Sequence, residues 1–350
     1  MNLLPKFEIF NQGKIKIGKF QLTEINPETD KLFLEAEDLF HEYEYEKSKI
    51  LLERIICNDP SLDEAYFLLA EIARDKGDFI QAEKILAKGI HFFKSLIPAD
   101  FNGDLPWGFD GNRPFLRLHH DLLLTYRQNG KISEAIETGL EILNYDPDDN
   151  QGIRWLMGDL YLKNEELRKA EKFLKNNVIQ YPPLQYSLAL LYFKQDKKWD
   201  AISQFRLGFL ENIYISEILS FKAPLISYDL YEPTNLNGIE VASEYTLSMT
   251  EYWIRNADAL DFMEAVQKHP LVYMEINRVY SLLHELNHLS HDDTYLESID
   301  DSDFNLDMRE FNRDARKEIF DEIDNIKRNI NKSSSKKILR DLDNLFEQGL

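Results

Sequence analysis

The sequence predicts an all-α chain: a solenoid of helix-turn-helix repeats wound as a right-handed superhelix, with a small β-hairpin cap at one end and a helical extension at the other. Three observations carry this expectation. Small residues recur with one period, Ala36 and Ala70 standing 34 residues apart, as do Ser48 and Ala82. Each pair brackets an apolar helix, a short polar turn and a second helix. A 43% hydrophobic content with 22 Phe and 17 Tyr supplies the apolar surface that a stack of such units must bury.

Taken in order, residues 7–22 alternate apolar and polar around Asn11-Gln12-Gly13, the pattern of a hairpin, and residues 1–28 are expected to cap the stack. Repeats then occupy 29–209. Pro60 closes the first unit; Tyr66-x-x-Leu69-Ala70, Gly77 and Ala82-x-x-x-Leu86 mark the second. The next small residue, Ala135, comes late, and the excess falls on 95–113, rich in Gly, Pro, Asp and Asn, which reads as an insertion. Its Trp107 and Phe109 could form a lid over a groove or plug a cavity; the cost of leaving aromatics in water favours plugging. Tyr126, Gly130, Ala135 and Pro147 mark a third unit, Gly158-x-x-Tyr161, Ala170-x-x-x-Leu174 and Pro182 a fourth, and Ala189-x-x-Tyr192 with Ala201-x-x-x-Phe205 a fifth. The small residues let paired helices approach, and the prolines end helices because they cannot continue the hydrogen-bond ladder. Pro224 and Pro233 break residues 213–236 into a connector, after which apolar spacing over 239–263 and 271–289 predicts helices that continue the solenoid through 210–292. In the last segment, 293–350, residues 291–305 read as the acidic loop, followed by charged amphipathic helices over 307–331 and 336–346.

At these positions the chain resembles the tetratricopeptide repeat (TPR) family over 29–209, most specifically at Gly158-x-x-Tyr161 and Ala201-x-x-x-Phe205. Trp107, Asn112-Arg113-Pro114 and the run from Pro147 to Arg154 are similar to the suppressor-of-tumorigenicity-seven type of TPR protein and its bacterial relatives. The TPR resemblance implies that positions 2, 5, 9 and 12 of each first helix line a concave groove. Those positions include Arg117, His120, Leu124 and Arg127 in the third unit, Trp155 and Asp159 in the fourth, and Tyr186 and Phe193 in the fifth. Arg117 and Arg127 could fork onto carboxylates, and Trp155, Tyr186 and Phe193 could seat an apolar anchor. Equally, Arg117 and Arg127 could be satisfied internally by Asp121, Glu134 or the loop from Asp104 to Asp110. The Lys and Asn pattern of chaperone-tail clamps is absent.

Charge and cysteine usage narrow the partner. With 41 Lys plus Arg against 62 Asp plus Glu, the net charge of −21 opposes binding to nucleic acid or to anionic membranes. One cysteine, Cys57, permits no intramolecular disulfide and no cysteine zinc cluster, and no apolar run is long enough to span a bilayer, so a cytoplasmic location is expected. The one string with catalytic spacing is His284-Glu285-Leu286-Asn287-His288, a match to H-E-x-x-H, in which two histidines one turn apart bind zinc and the glutamate activates water. Against it, His291 lies about 10 Å along a continuous helix from His284, and Leu282, Leu283, Leu286 and Leu289 form an apolar stripe that would turn the histidines outward. No phosphate-binding glycine motif or calcium loop occurs. The reading adopted is a non-enzymatic scaffold that binds a protein or peptide segment and needs no cofactor, with self-association left open. The competing class is a zinc-dependent hydrolase built on His284, Glu285 and His288.

Overall fold

The computed structural model describes residues 5–21, 26–178, 181–220, 238–296 and 302–347. They are overwhelmingly helical, and the one sheet among them is the expected hairpin, β1 (Lys6–Gln12) paired antiparallel with β2 (Ile15–Gln21) around Gly13, whose φ of 64° fits the tight turn. Contacts divide the chain into two compact units, residues 1–164 and 165–350.

In the first unit, α1 (Pro27–His41), α2 (Tyr45–Asn58), α3 (Asp63–Asp75), α4 (Phe79–Leu96), α5 (Arg113–Gln128), α6 (Ile132–Tyr145) and α7 (Ile153–Lys163) pack each on the next. The first helices of successive pairs, α1, α3 and α5, also touch one another and so form one layer. Local chemistry sets the ends. Asn26 accepts from the Glu28 amide and Pro27 begins α1; Asp78 accepts from the Gln81 amide at the start of α4; Gly77 and Gly130 take φ of 73° in the turns. The periodic small residues do what their size predicts: Ala36, Ser48, Ala70, Ala82 and Ala135 are all fully buried, and the Ser48 hydroxyl donates to the Ala36 carbonyl across the first pair. A side chain at Gly139 would meet the Met157 sulfur at 2.6 Å, which shows how closely α6 and α7 approach.

The hairpin docks on the insertion, where Gly18 donates to the Asp104 carbonyl and Asp104 to the Lys16 carbonyl, extending the sheet by a short parallel bridge at Ile17. Gly103 and Gly111 permit this approach, since a Cβ on either would lie about 2 Å from the Lys16 or Phe20 carbonyl oxygen. Asn112, fully buried, accepts from the Phe20 amide and donates to the Gly18 and Pro106 carbonyls. Phe20 packs edge-on against Phe7 and Phe93, with Phe115 behind it and Leu105 fully buried alongside. The rings of the hairpin, Phe7 and Phe20, find their apolar complement on the insertion, α4 and α5. The insertion thus fills space, and Trp107 lies beneath the Arg113 guanidinium at 5.5 Å.

In the second unit, α8 (Leu167–Asn177), α9 (Pro183–Lys194), α10 (Lys198–Glu211), α11 (Ile213–Leu219), α12 (Ile239–Ile254), α13 (Ala257–Lys268), α14 (Pro270–Leu296), α15 (Ser302–Asn329) and α16 (Lys332–Glu347) gather around α10, which touches α9, α11, α13, α14 and α16. The expected connector, with Pro224 and Pro233, begins as helix α11 and otherwise lies largely outside the described residues. Helix replaces both ends of the span read as an acidic loop: α14 runs to Leu296 and α15 starts at Ser302, with 297–301 outside the described residues. Acidic residues are tolerated on a solvent face, so charge alone does not stop a helix. The C-terminal helices pack back. The Arg206 side chain, only 2% exposed, forks onto the Glu275 carboxylate of α14 at 2.9 and 2.5 Å and donates to the hydroxyls of Ser334 and Ser335 on α16 at 2.9 and 3.1 Å.

Candidate functional site

The side chains left half open on the α1–α3–α5 layer converge on a cleft of about 370 Å³. Phe40 of α1, Phe67 and Leu68 of α3 and Leu124 of α5 give it apolar walls; Glu71, Arg74, Arg117, His120 and Asp121 give it polar ones. A helix exposes residues three and four apart on one side, which is why Phe67, Glu71 and Arg74, or Arg117, His120, Asp121 and Leu124, share a face.

Two guanidiniums organise the polar groups, and each is held internally. Arg117 reaches the carboxylates of Asp63 at 2.8 Å and Glu64 at 3.1 Å, at the first turn of α3, while its plane lies over the Phe67 ring at 5.9 Å. Arg74 pairs with Glu71 on its own helix and with Asp121 across to α5 at 2.9 Å, and also donates to the Thr125 hydroxyl. Burial, with Glu64 beside it, pushes the Asp63 carboxyl up to about 8 against the opposing pull of Arg117. Burial also raises Asp121, again against its guanidinium partner. His120 is lowered by burial and then by the nearby charge of Arg127, so at neutral pH it presents an uncharged imidazole. The cleft is therefore an apolar depression with a self-paired polar rim.

Of the residues expected to line a groove, Arg117, His120 and Leu124 come together here. Arg117 is engaged by Asp63 and Glu64, acids that the sequence reading did not consider. Arg127 and Asp159 are half-buried. Trp155 is half-buried too and packs against Gly152, where a Cβ would sit 2.8 Å from its ring. Tyr186 is no open anchor: it is fully buried and its hydroxyl donates to the Asn212 carbonyl at 2.6 Å. Phe193 packs on Phe262 at 5.0 Å. Tyr186 is covered because Phe209 of α10 and Tyr245 of α12 pack on its ring, whereas Phe193 stays half-buried. The sequence reading missed Phe40, Phe67, Leu68, Glu71 and Arg74. The signal was present, because the register that aligns Ala36 with Ala70 fixes the inward positions of α1 and α3 as well.

His284 and His288 project from the exposed side of α14, their Nε2 atoms 3.2 Å apart, while Leu282 and Leu286 are buried. Among the described side chains no three His, Cys, Asp or Glu are grouped to hold a metal ion, and the side chain of His291 lies outside them.

A model of the Tcf25 family, described as the transcriptional repressor TCF25, matches residues 52–297. The chain belongs to the Tcf25 family. The match takes in α3 to α14 and so includes the α3 and α5 walls of the cleft, while α1 and the hairpin precede it. No curated protein matches the chain. Solved structures similar to it include the nearly identical TPR-like repeats of a Podosopora anserina protein described as a kinesin light chain, at 13% identity and a TM-score of 0.39, covering 53% of this chain and 95% of that one. PilW, a type IV pilus biogenesis factor, is similar at 15% identity and a TM-score of 0.38, covering 71% and 96%. Pseudomonas aeruginosa PilF is similar at 14% identity and a TM-score of 0.37, covering 67% and 96%. Among the described residues no helix is long and apolar enough to cross a membrane.

Proposed function

We propose that this Tcf25 family chain is a non-enzymatic interaction scaffold that holds a segment of another protein on the inner face of α1, α3 and α5. The observation that carries the reading is the cleft itself: Phe40, Phe67, Leu68 and Leu124, all half open, converge from three helices on one concavity, and the charged groups lining it already have internal partners or are held neutral. Apolar surface of this kind gains free energy only when a partner covers it.

The family description adds a setting, repression of transcription. A chain of net charge −21 is repelled by DNA, so in that setting it would act through a DNA-bound protein rather than on DNA directly. The cytoplasmic placement expected from the sequence then competes with a nuclear one, and imaging of the tagged chain decides between them. Replacing Phe40 and Phe67 together by alanine tests the interaction reading. Both are half-buried, so circular dichroism should be unchanged, while partners recovered by crosslinking and mass spectrometry on the wild-type chain should be lost. Retention of the same partners by the folded double variant refutes it.

A further inference from the structure

The same register that places the cleft also repeats its chemistry. A shift of one repeat carries Asp30 of α1 onto Glu64 of α3, Phe33 onto Phe67, Glu37 onto Glu71 and Phe40 onto Arg74. All eight are exposed or half-buried, as inward-facing residues of an uncovered layer must be. The face thus reads acid, phenylalanine, acid, phenylalanine on α1, and repeats on α3 with arginine in the last place. Among the described residues that share this face, the carboxylates of Asp30, Glu37, Asp63, Glu64, Glu71 and Asp121 outnumber the guanidiniums of Arg74, Arg117 and Arg127. Arg74 and Arg117 are each already shared between two acids. Even with one proton retained at Asp63, the layer is short of cations: Asp30 is exposed, the Glu64 and Glu71 side chains are 42% and 45% exposed, and of the guanidiniums that face them Arg117 is 40% exposed and Arg74 13%. The Arg117 plane over Phe67 shows that these rings accept a cation on their faces.

We infer that the occupant of this face is a short protein segment bearing one or two large apolar side chains flanked by lysine or arginine. This rests on the interaction reading above and specifies its ligand. It also reverses the expectation, drawn from Arg117 and Arg127 alone, of an acidic ligand. The apolar side chain enters between Phe40, Phe67 and Leu124; the flanking cations meet Glu37, Glu64 and Glu71 at the rim and the faces of Phe33 and Phe40.

The test is selection from a random twelve-residue peptide library displayed on phage, against the full chain, with counter-selection on the folded Phe40→Ala/Phe67→Ala variant. The expected consensus places Lys or Arg beside Leu, Phe or Trp. A synthetic peptide of that consensus should bind about tenfold more weakly to Glu37→Gln/Glu71→Gln and lose part of its salt dependence. A control pair on the exposed side of α12, Glu240→Gln/Glu244→Gln, should leave its affinity unchanged, which separates the site from the overall charge. Equal loss in the control, or none in Glu37→Gln/Glu71→Gln, overturns the inference. Selected peptides that depend on Phe40 and Phe67 but carry acidic or uncharged flanks overturn it too, while leaving the interaction reading standing. Recovery of no peptide sensitive to Phe40→Ala/Phe67→Ala refutes the interaction reading itself.

Discussion

Replacing Arg206 by alanine should loosen the C-terminal helices from the rest of the second unit. The guanidinium has almost no solvent contact and makes four hydrogen bonds, two to the Glu275 carboxylate and one each to Ser334 and Ser335. Ser335 is itself fully buried and also accepts from the Ser203 hydroxyl at 2.8 Å. Removing one partner of a buried ion pair costs about 3 to 5 kcal/mol, because the other charge stays behind without compensation. The Glu275 side chain is 23% exposed, so water recovers part of that, and a loss of about 2 to 4 kcal/mol is expected. Urea unfolding of Arg206→Ala measures it, and hydrogen exchange should show early loss of protection in α16. The double variant Arg206→Met/Glu275→Leu should recover most of the loss, since an apolar pair of similar volume leaves no charge stranded. A cost for Arg206→Ala below about 1 kcal/mol, or a double variant as unstable as the sum of the two single changes, would show that the clamp does not hold α10, α14 and α16 together.

His119 is buried, its Nδ1–H donating to the Phe115 carbonyl, and burial lowers it to about 4 from the ordinary 6.5. The folded state therefore binds fewer protons: the contribution is fully present above pH 6.5 and is lost as pH falls through 4, a total of about 3 kcal/mol. His119→Phe should flatten the urea midpoint over that window, and an undiminished slope would place its origin elsewhere. Asn112→Ala removes three hydrogen bonds, two of them buried, that tie the insertion to the hairpin, and should cost about 3 kcal/mol with loss of exchange protection in β1 and β2; protection at wild-type level contradicts the docking. Gly111→Ala should have the same signature without removing any hydrogen-bonding group, because its Cβ would collide with the Phe20 carbonyl. Ala substitution at Gly108, where a Cβ meets nothing within 4 Å, is the matched control and should leave that protection intact.

What the sequence determined by itself was the local architecture. Size and turn chemistry at Ala36, Ala70, Ala82, Gly77 and Gly130 act between neighbouring helices, so a period in the chain becomes a period in the stack, and the hairpin at Asn11-Gln12-Gly13 is likewise a matter of adjacent residues. Even the inward positions Phe40 and Phe67 follow from that register. The tertiary structure alone decided which faces stay open. Nothing in the pattern of β2 says that Phe20 will settle against Phe93 and Phe115, and nothing in α9 says that Phe209 of α10 and Tyr245 of α12 will close over Tyr186. The same holds for charge. Arg117 and Arg74 look like free cations until the fold brings Asp63, Glu64 and Asp121 from other helices within hydrogen-bond reach, 47 to 54 residues away along the chain. Periodicity records contacts between neighbours in sequence; covering a face or neutralising a charge depends on segments far apart in the chain, and only folding brings those together.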